Sequence, residues 1–269
     1  MTGRGRGGLI PALALNMADL AISMLHPFSG ASAFANHWVW GAVGCQTYAF
    51  IAYLLGNFVI AGPVLTAWDR VQGAIHGGAW RKSYGFYAVL TALVLAHSIF
   101  WASAPLLGWS SYGLTKHGIS CSLKKGLSAN RLSFLYTYTL FAYILPATAS
   151  ILIAARAPAN SARLALWLSL AFPLLGYAPY GMVQYWPVIF HSQPPIGIVA
   201  IAPLAAKTNS MLSPILHLLE HPHHVLANLK KIPHIFFTSD EYTDIQETDL
   251  ASAKPEEYGG VNTCLVSVV

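Results

Sequence analysis

Six stretches of this chain, 9–33, 42–68, 84–107, 132–156, 162–190 and 196–219, are apolar over the span of roughly 20 residues that a helix needs to cross a bilayer. No other feature narrows the fold as far. In hydrocarbon an unpartnered backbone N–H or C=O costs several kcal/mol, so each crossing segment must close its hydrogen bonds within itself. The stretches lack the short alternating pattern of barrel strands. An all-α, integral membrane helical bundle is therefore expected. Composition agrees: 9% of the 269 residues are charged and 55% are hydrophobic, against about 25% charged in soluble domains. Pro63, Pro146, Pro173, Pro179, Pro203 and Pro214 fall inside the stretches, where they mark kinks beside neighbouring helices. The basic opening MTGRGRGG does not make a secretory signal, because Asn16 and Asp19 interrupt the apolar run and no cleavage site follows.

Basic residues set the expected orientation. Arg4, Arg6, Arg70, Arg81, Lys82, Arg156, Arg163, Lys230 and Lys231 fall on one side, and Lys116, Lys124, Lys125 and Arg131 on the other. Positive charge favours the cytoplasm, which puts both chain ends there and makes 109–131 an outer loop. The localisation expected is a multi-pass protein of the plasma membrane or an intracellular membrane. Three regions follow: a short N-terminus (1–8), a membrane domain (9–232) and a polar tail (233–269). The membrane domain closes on LLEHPHHVLANLKK, which suits a helix lying on the inner surface. The tail is acidic and reads as disordered. Nothing in the sequence points to nucleic acid.

Cys45 opens the second span on the outer side and Cys121 lies in the outer loop, so shared topology favours a Cys45–Cys121 disulfide over two separate thiols. Cys264 is left over in the tail as a free thiol. His221, His223 and His224 are adjacent but have no partner set for a metal, and read as solvated surface. The closing VSVV has the pattern of a ligand for PDZ-type, strand-adding domains.

With those basic residues and the tail's Lys254 placed, one cation remains: Lys207, in the middle of the sixth stretch. Three roles compete for it. It is too far from either end of its span to snorkel to the interface. It could pair with Asp19, the acid well inside a span, although nothing in the sequence brings the two together. Or it is an amine that burial keeps neutral and nucleophilic, able to form a Schiff base with a carbonyl compound.

Motifs along the chain fall in a familiar order. LALNMADL contains Asp19; GCQTYAF and WDRV set Arg70 25 positions after Cys45; APLLGWSSYGLTKHGISC ends on Cys121; Pro146, GYAPYG and the Lys207–Pro214 segment follow. Over roughly 9–232 the chain resembles the animal opsins, seven-helix receptors of the rhodopsin type. IAPLAAK, PLLGWSSYG and Tyr48 place it nearest the peropsin, retinochrome and retinal G-protein-coupled receptor branch. The resemblance implies a rhodopsin-type bundle in which these six spans correspond to helices two to seven, the first helix having no counterpart. It also implies a retinal cofactor bound covalently to Lys207 as a Schiff base, and light-driven conversion of all-trans- to 11-cis-retinal.

In that frame Gly56, Tyr138, Tyr143, Tyr177 and Tyr180 would wall the retinal site, with the disulfide-held loop 109–123 capping it. Ordinary helix packing accounts for aromatic stripes as well. Asp69, Arg70 and Pro214 would belong to the signalling motif of a receptor that couples to a heterotrimeric G protein, the second functional reading. A non-photosensory membrane protein is the third. Against the family pattern, Ser213 and His217 replace an asparagine and a tyrosine around Pro214, and Tyr177 replaces a tryptophan. Thr115 stands where the branch carries its outer-loop acid. Neither Tyr48 nor Thr115 is ionised at neutral pH, so a largely unprotonated, near-ultraviolet Schiff base is expected unless Asp19 or a bound anion substitutes.

Overall fold

A computed structural model of the chain describes residues 9–76, 83–116, 118–158 and 161–220. The readings made on 1–8, Arg81, Lys82, His117 and 221–269, including the histidine cluster, Cys264 and the terminal VSVV, lie outside the described residues.

Proline decides where the long apolar stretches break. Pro27 has no N–H for the carbonyl four residues back, and the first stretch divides into α1 (Leu9–Met24) and α2 (His26–Phe34). Pro63 acts in the same way on the second. Helix α3 (Gly41–Ala61) stops at Gly62, whose N–H still reaches the Phe58 carbonyl at 2.8 Å, and α4 (Pro63–His76) resumes. Helix α5 (Tyr84–Ser103) starts on Ser83, whose hydroxyl accepts the Phe86 N–H at 3.3 Å. Pro146 leaves a carbonyl unmatched one turn earlier. The chain answers with a π-helical turn (Thr139–Ile144) between α6 (Ala129–Tyr138) and α7 (Leu145–Ala155). Helix α8 (Ser161–Phe190) stays continuous through Pro173, Pro179 and Pro187, and α9 (Ile196–Glu220) closes the described part.

Five helical stretches, Leu9–Phe34, Gly41–His76, Tyr84–Ser103, Ala129–Ala155 and Leu166–Phe190, are long and apolar enough to cross a membrane. Helix α9 covers the sixth apolar stretch. Leu13, Met17, Val89, Leu93, Leu152 and Leu175 are all exposed. In water each such side chain left unburied forgoes about 1.5–3 kcal/mol; against lipid tails the penalty vanishes. The chain is a multi-pass helical membrane protein.

One boundary differs from the sequence expectation in a way that matters. The second span runs on to His76, so Asp69 and Arg70 lie within α4 rather than at its end. Hydropathy marks the edge of the oil, whereas the helix continues beyond it because its backbone bonds are local.

At one end of the bundle the chain folds into a small hairpin. Strands β1 (Tyr112–Leu114) and β2 (Cys121–Leu123) pair antiparallel, with Gly113 opposite Ser122. A Cys45–Cys121 disulfide, 2.11 Å between sulfurs, ties β2 to α3. Gln46 donates its side-chain amide to the Tyr112 carbonyl at 3.2 Å, and the Tyr112 hydroxyl donates to the Ala102 carbonyl at 2.9 Å. Trp38, Trp101, Tyr112, Leu123 and Phe134 form the buried cluster beneath it. Away from the hairpin, α9 packs against α8 and α1, and α3 against α5.

Candidate functional site around Lys207

The Lys207 amine, half-buried near the middle of α9, donates to the Ser29 hydroxyl at 2.8 Å. Ser29 lies one turn into α2, and its own hydroxyl donates to the His26 carbonyl at 3.1 Å. The Tyr48 hydroxyl of α3 is hydrogen-bonded to the same Ser29, and the His26 ring lies within electrostatic range of the Lys207 amine. Three helices thus converge on one serine. The polar partner they give the lysine is a hydroxyl rather than a carboxylate. A charged ammonium so placed is costly in a bilayer interior, and a hydroxyl offsets only part of that cost.

From Tyr48 a line of tyrosines leads to the hairpin. Tyr48 meets Trp38 edge-on, ring centroids 5.2 Å apart. Tyr180 of α8 lies within electrostatic reach of Tyr48, Tyr53 and Tyr177. Tyr53 accepts the Gln184 amide at 3.3 Å and meets the Ser122 hydroxyl of β2 at 3.5 Å. Gly56 is buried against Tyr177: a Cβ there would stand 3.4 Å from the ring. An alanine Cβ at that distance would make ordinary contact with the ring, and only a larger side chain would press on it.

Tyr138 adjoins this line, its ring centroid 6.2 Å from that of Tyr53, while Tyr143 and Thr115 are held by other elements. The Tyr138 hydroxyl donates to the Asn57 Oδ1 at 2.5 Å, while its ring stacks on Phe134 at 5.4 Å. The Tyr143 hydroxyl, in the π-helical turn, donates to the Leu174 carbonyl at 2.6 Å and so ties that turn to α8. Thr115 sits at the turn of the hairpin, its N–H on the Ser120 carbonyl at 2.8 Å. Among the described residues no hydrogen bond joins it to the Lys207 group.

Two further places carry polar chemistry. Asp19, 1% exposed, lines a cavity of about 20 Å³ with Leu15, Val59, Pro63, Thr66, Ser169 and Pro173, which has room for a water molecule. None of those residues belongs to the Lys207 group. Asp69 accepts a hydrogen bond from the buried Tyr87 hydroxyl of α5. Pro214 lies in α9, but its side chain is outside the described residues.

Sequence reasoning passed over His26 and Ser29. A signal was available: HPFS places an ionisable ring and a hydroxyl three residues apart inside an apolar stretch, beside a proline that bends the helix.

No family model matches the chain. Retinochrome from Todarodes pacificus is 31% identical over 140 residues, 51% of this chain and 44% of that protein. The RPE-retinal G protein-coupled receptor of Bos taurus is 28% identical over 188 residues, 66% and 62% of the two chains. Opsin-5 of Mus musculus is 26% identical over 252 residues, 81% and 66%. For the first two, the match thus spans less than two thirds of the relative's own length. Among solved structures, the crystal structure of squid rhodopsin superposes with a TM-score of 0.73 at 17% identity, covering 97% of this chain and 80% of that one. The fold is therefore the rhodopsin bundle, and over part of its length the chain is similar in sequence to animal opsins, retinochrome and the RPE-retinal G protein-coupled receptor among them.

Proposed function

We propose that this chain is an opsin that binds retinal through a Schiff base on Lys207 and uses light to return the all-trans form to the 11-cis form. One observation carries the proposal: a lysine amine is set mid-helix in an apolar bundle, and the partner beside it is the Ser29 hydroxyl. An amine so placed is suited to be nucleophilic rather than ion-paired. One relative also carries the word retinal in its name, the RPE-retinal G protein-coupled receptor. The residues present fit the group: an amine, a glycine beside Tyr177, and the neighbouring rings of Tyr48, Tyr177 and Tyr180.

Retinal when bound supplies the light absorption and the double bond that rotates; the protein's share is to hold and shape. Lys207 fixes one end. Tyr48, Tyr177 and Tyr180, with Gly56 beside them, restrict which bond can turn. The hairpin, locked to α3 by the disulfide and joined to Tyr53 through Ser122, closes that end against water. Both chain ends are assigned to the cytoplasm on the distribution of basic residues.

Borohydride reduction of retinal-soaked protein, followed by peptide mapping, tests the attachment. A retinyl adduct on Lys207, lost in Lys207→Met, is expected; a free amine at 207 in protein that is otherwise folded overturns the proposal. Retinal extracted before and after illumination tests the direction of isomerisation.

A receptor role is the second reading, favoured by Asp69 and Arg70 on α4 and the hold of Tyr87 on Asp69. A relative at 30% identity is named as a G0-coupled rhodopsin. Light-dependent nucleotide exchange on a purified heterotrimeric G protein distinguishes it.

A further inference from the structure

The retinal linkage leaves His26 without a chemical role, yet its ring lies within electrostatic range of the Lys207 amine and it stands three residues before Ser29, on the same face of α2. Its Nε2 atom is buried and has no hydrogen-bond partner among the described residues. Buried ring nitrogens are ordinarily paired, so one left open within electrostatic range of a nucleophile calls for a role. The groups that face it are the Lys207 amine from α9 and, through Ser29, the Tyr48 hydroxyl from α3. Serine and tyrosine hydroxyls are poor bases near neutral pH, whereas imidazole gains and loses a proton there without assistance. The Pro27 break puts His26 on the first turn of α2, one turn from the serine that holds the lysine.

We infer that His26 is the acid–base residue that moves protons at the Lys207 amine while an aldehyde is attached to it or released. This rests on the proposed retinal linkage and adds the group that makes it exchangeable. The balance is simple. As the amine and the aldehyde combine, a C=N bond forms and the carbonyl oxygen leaves as water, so the nitrogen gives up two hydrogens and the oxygen gains two. His26 takes a proton from the nitrogen and delivers it to the departing oxygen. In hydrolysis the same ring runs the transfer backwards. Among the described side chains shown at the amine, no other can both accept and return a proton at neutral pH.

The experiment has two arms. In the first, the rate of retinal attachment is followed in wild type and in His26→Gln, from pH 5 to pH 8. The variant is expected to be slower by about 100-fold at neutral pH, the usual worth of a positioned acid–base group, and to lose the pH dependence that wild type shows. The second arm needs no retinal: the ligand-free protein is treated with formaldehyde and cyanoborohydride, and methylation of Lys207 is measured by mass spectrometry. The same loss is expected, with free imidazole restoring the rate in His26→Ala. Rates within twofold of wild type across the range, or a loss in a folded variant that imidazole leaves untouched, overturn the inference. If His26→Ala does not fold, the pH profile of His26→Gln decides alone. Should wild type take up formaldehyde at Lys207 but never retinal, the retinal proposal fails, and the His26 assignment is judged on the second arm.

Discussion

Gly176 of α8 and Asn209 of α9 are in close contact: a Cβ built on Gly176 would stand 2.8 Å from the Asn209 Cβ and 3.0 Å from its Cγ. Small residues let helices in lipid approach until backbone-proximal atoms touch. Alanine favours a helix over glycine by about 1 kcal/mol, but the atom it would strike is fixed to the Asn209 backbone and cannot swing away. Overpacking of this kind costs about 1–3 kcal/mol. Gly176→Ala is therefore expected to lower the thermal unfolding temperature in detergent. Gly181, five residues along the same helix with nothing within 4 Å of its built Cβ, supplies the contrast: Gly181→Ala is expected to be neutral or stabilising. Equal effects at both positions would mean that α8 and α9 do not meet as described.

The Cys45–Cys121 bridge closes a loop across a sequence separation of 76. Loop-closure entropy alone makes such a crosslink worth about 4 kcal/mol. Cys45→Ser is expected to lose most of that stability and to expose the hairpin, so that limited proteolysis cuts between Trp109 and Leu127 before any helix. Double replacement of both cysteines should match the single variant, since either change removes the same bond.

Those two features show what could be read before the structure and what could not. Lys207 stood out because a charge in oil is expensive wherever the chain folds, and Cys45 and Cys121 because topology alone put them on one side of the bilayer. Such inferences need only one-dimensional information. His26 and Ser29 escaped because their meaning depends on proximity to a residue 178 positions away, across a kink that hydropathy does not register. The true end of α4 was missed for a related reason: apolar pattern reports the solvent, while backbone bonding carried the helix on through Asp69 and Arg70 to His76. Tyrosines were legible as a group but not individually. The sequence pointed to Tyr138 and Tyr143 as readily as to Tyr48 and Tyr180. Only packing shows that the hydroxyls of Tyr138 and Tyr143 are engaged by Asn57 and by the Leu174 carbonyl.

Tyr138 and Asn57 form a buried pair whose coupling can be measured. Asn57 is 1% exposed and its amide nitrogen has no partner among the described residues, so the bond from Tyr138 to its Oδ1 satisfies the half that is satisfied. Tyr138→Phe removes the donor and strands a buried carbonyl, at a cost of about 1–3 kcal/mol. Asn57→Leu removes both polar atoms. The double variant is expected to cost less than the two single changes together, with a coupling of at least about 0.5 kcal/mol in a thermal unfolding cycle. Simple additivity would show that the hydroxyl has another acceptor.

Ser29 offers the sharpest test of the electrostatics at the site. The amine it holds has a hydroxyl and an imidazole as neighbours, and a hydroxyl cannot neutralise a cation. A retinal imine formed there should be largely unprotonated at neutral pH and absorb in the near ultraviolet. Placing a carboxylate where the amine now donates changes that balance directly. At roughly 4 Å an opposite charge is worth about 4 kcal/mol at the effective dielectric of a partly buried site, enough to move the protonation midpoint by more than two pH units at 1.36 kcal/mol each. Ser29→Asp reconstituted with all-trans-retinal is thus expected to absorb in the visible at neutral pH and to keep that band as the pH is raised, while wild type shows a visible band only on acidification. The carboxylate must also be ionised, and a protonated imine within reach helps to keep it so; strong acid neutralises the carboxylate, whereas only alkali takes the proton from the imine. A wild-type visible band that persists in alkali would place an anion beside Lys207 that the described residues do not contain. An ultraviolet band in Ser29→Asp, in protein that still carries the adduct on Lys207, would mean that the imine nitrogen points away from α2 once retinal is attached.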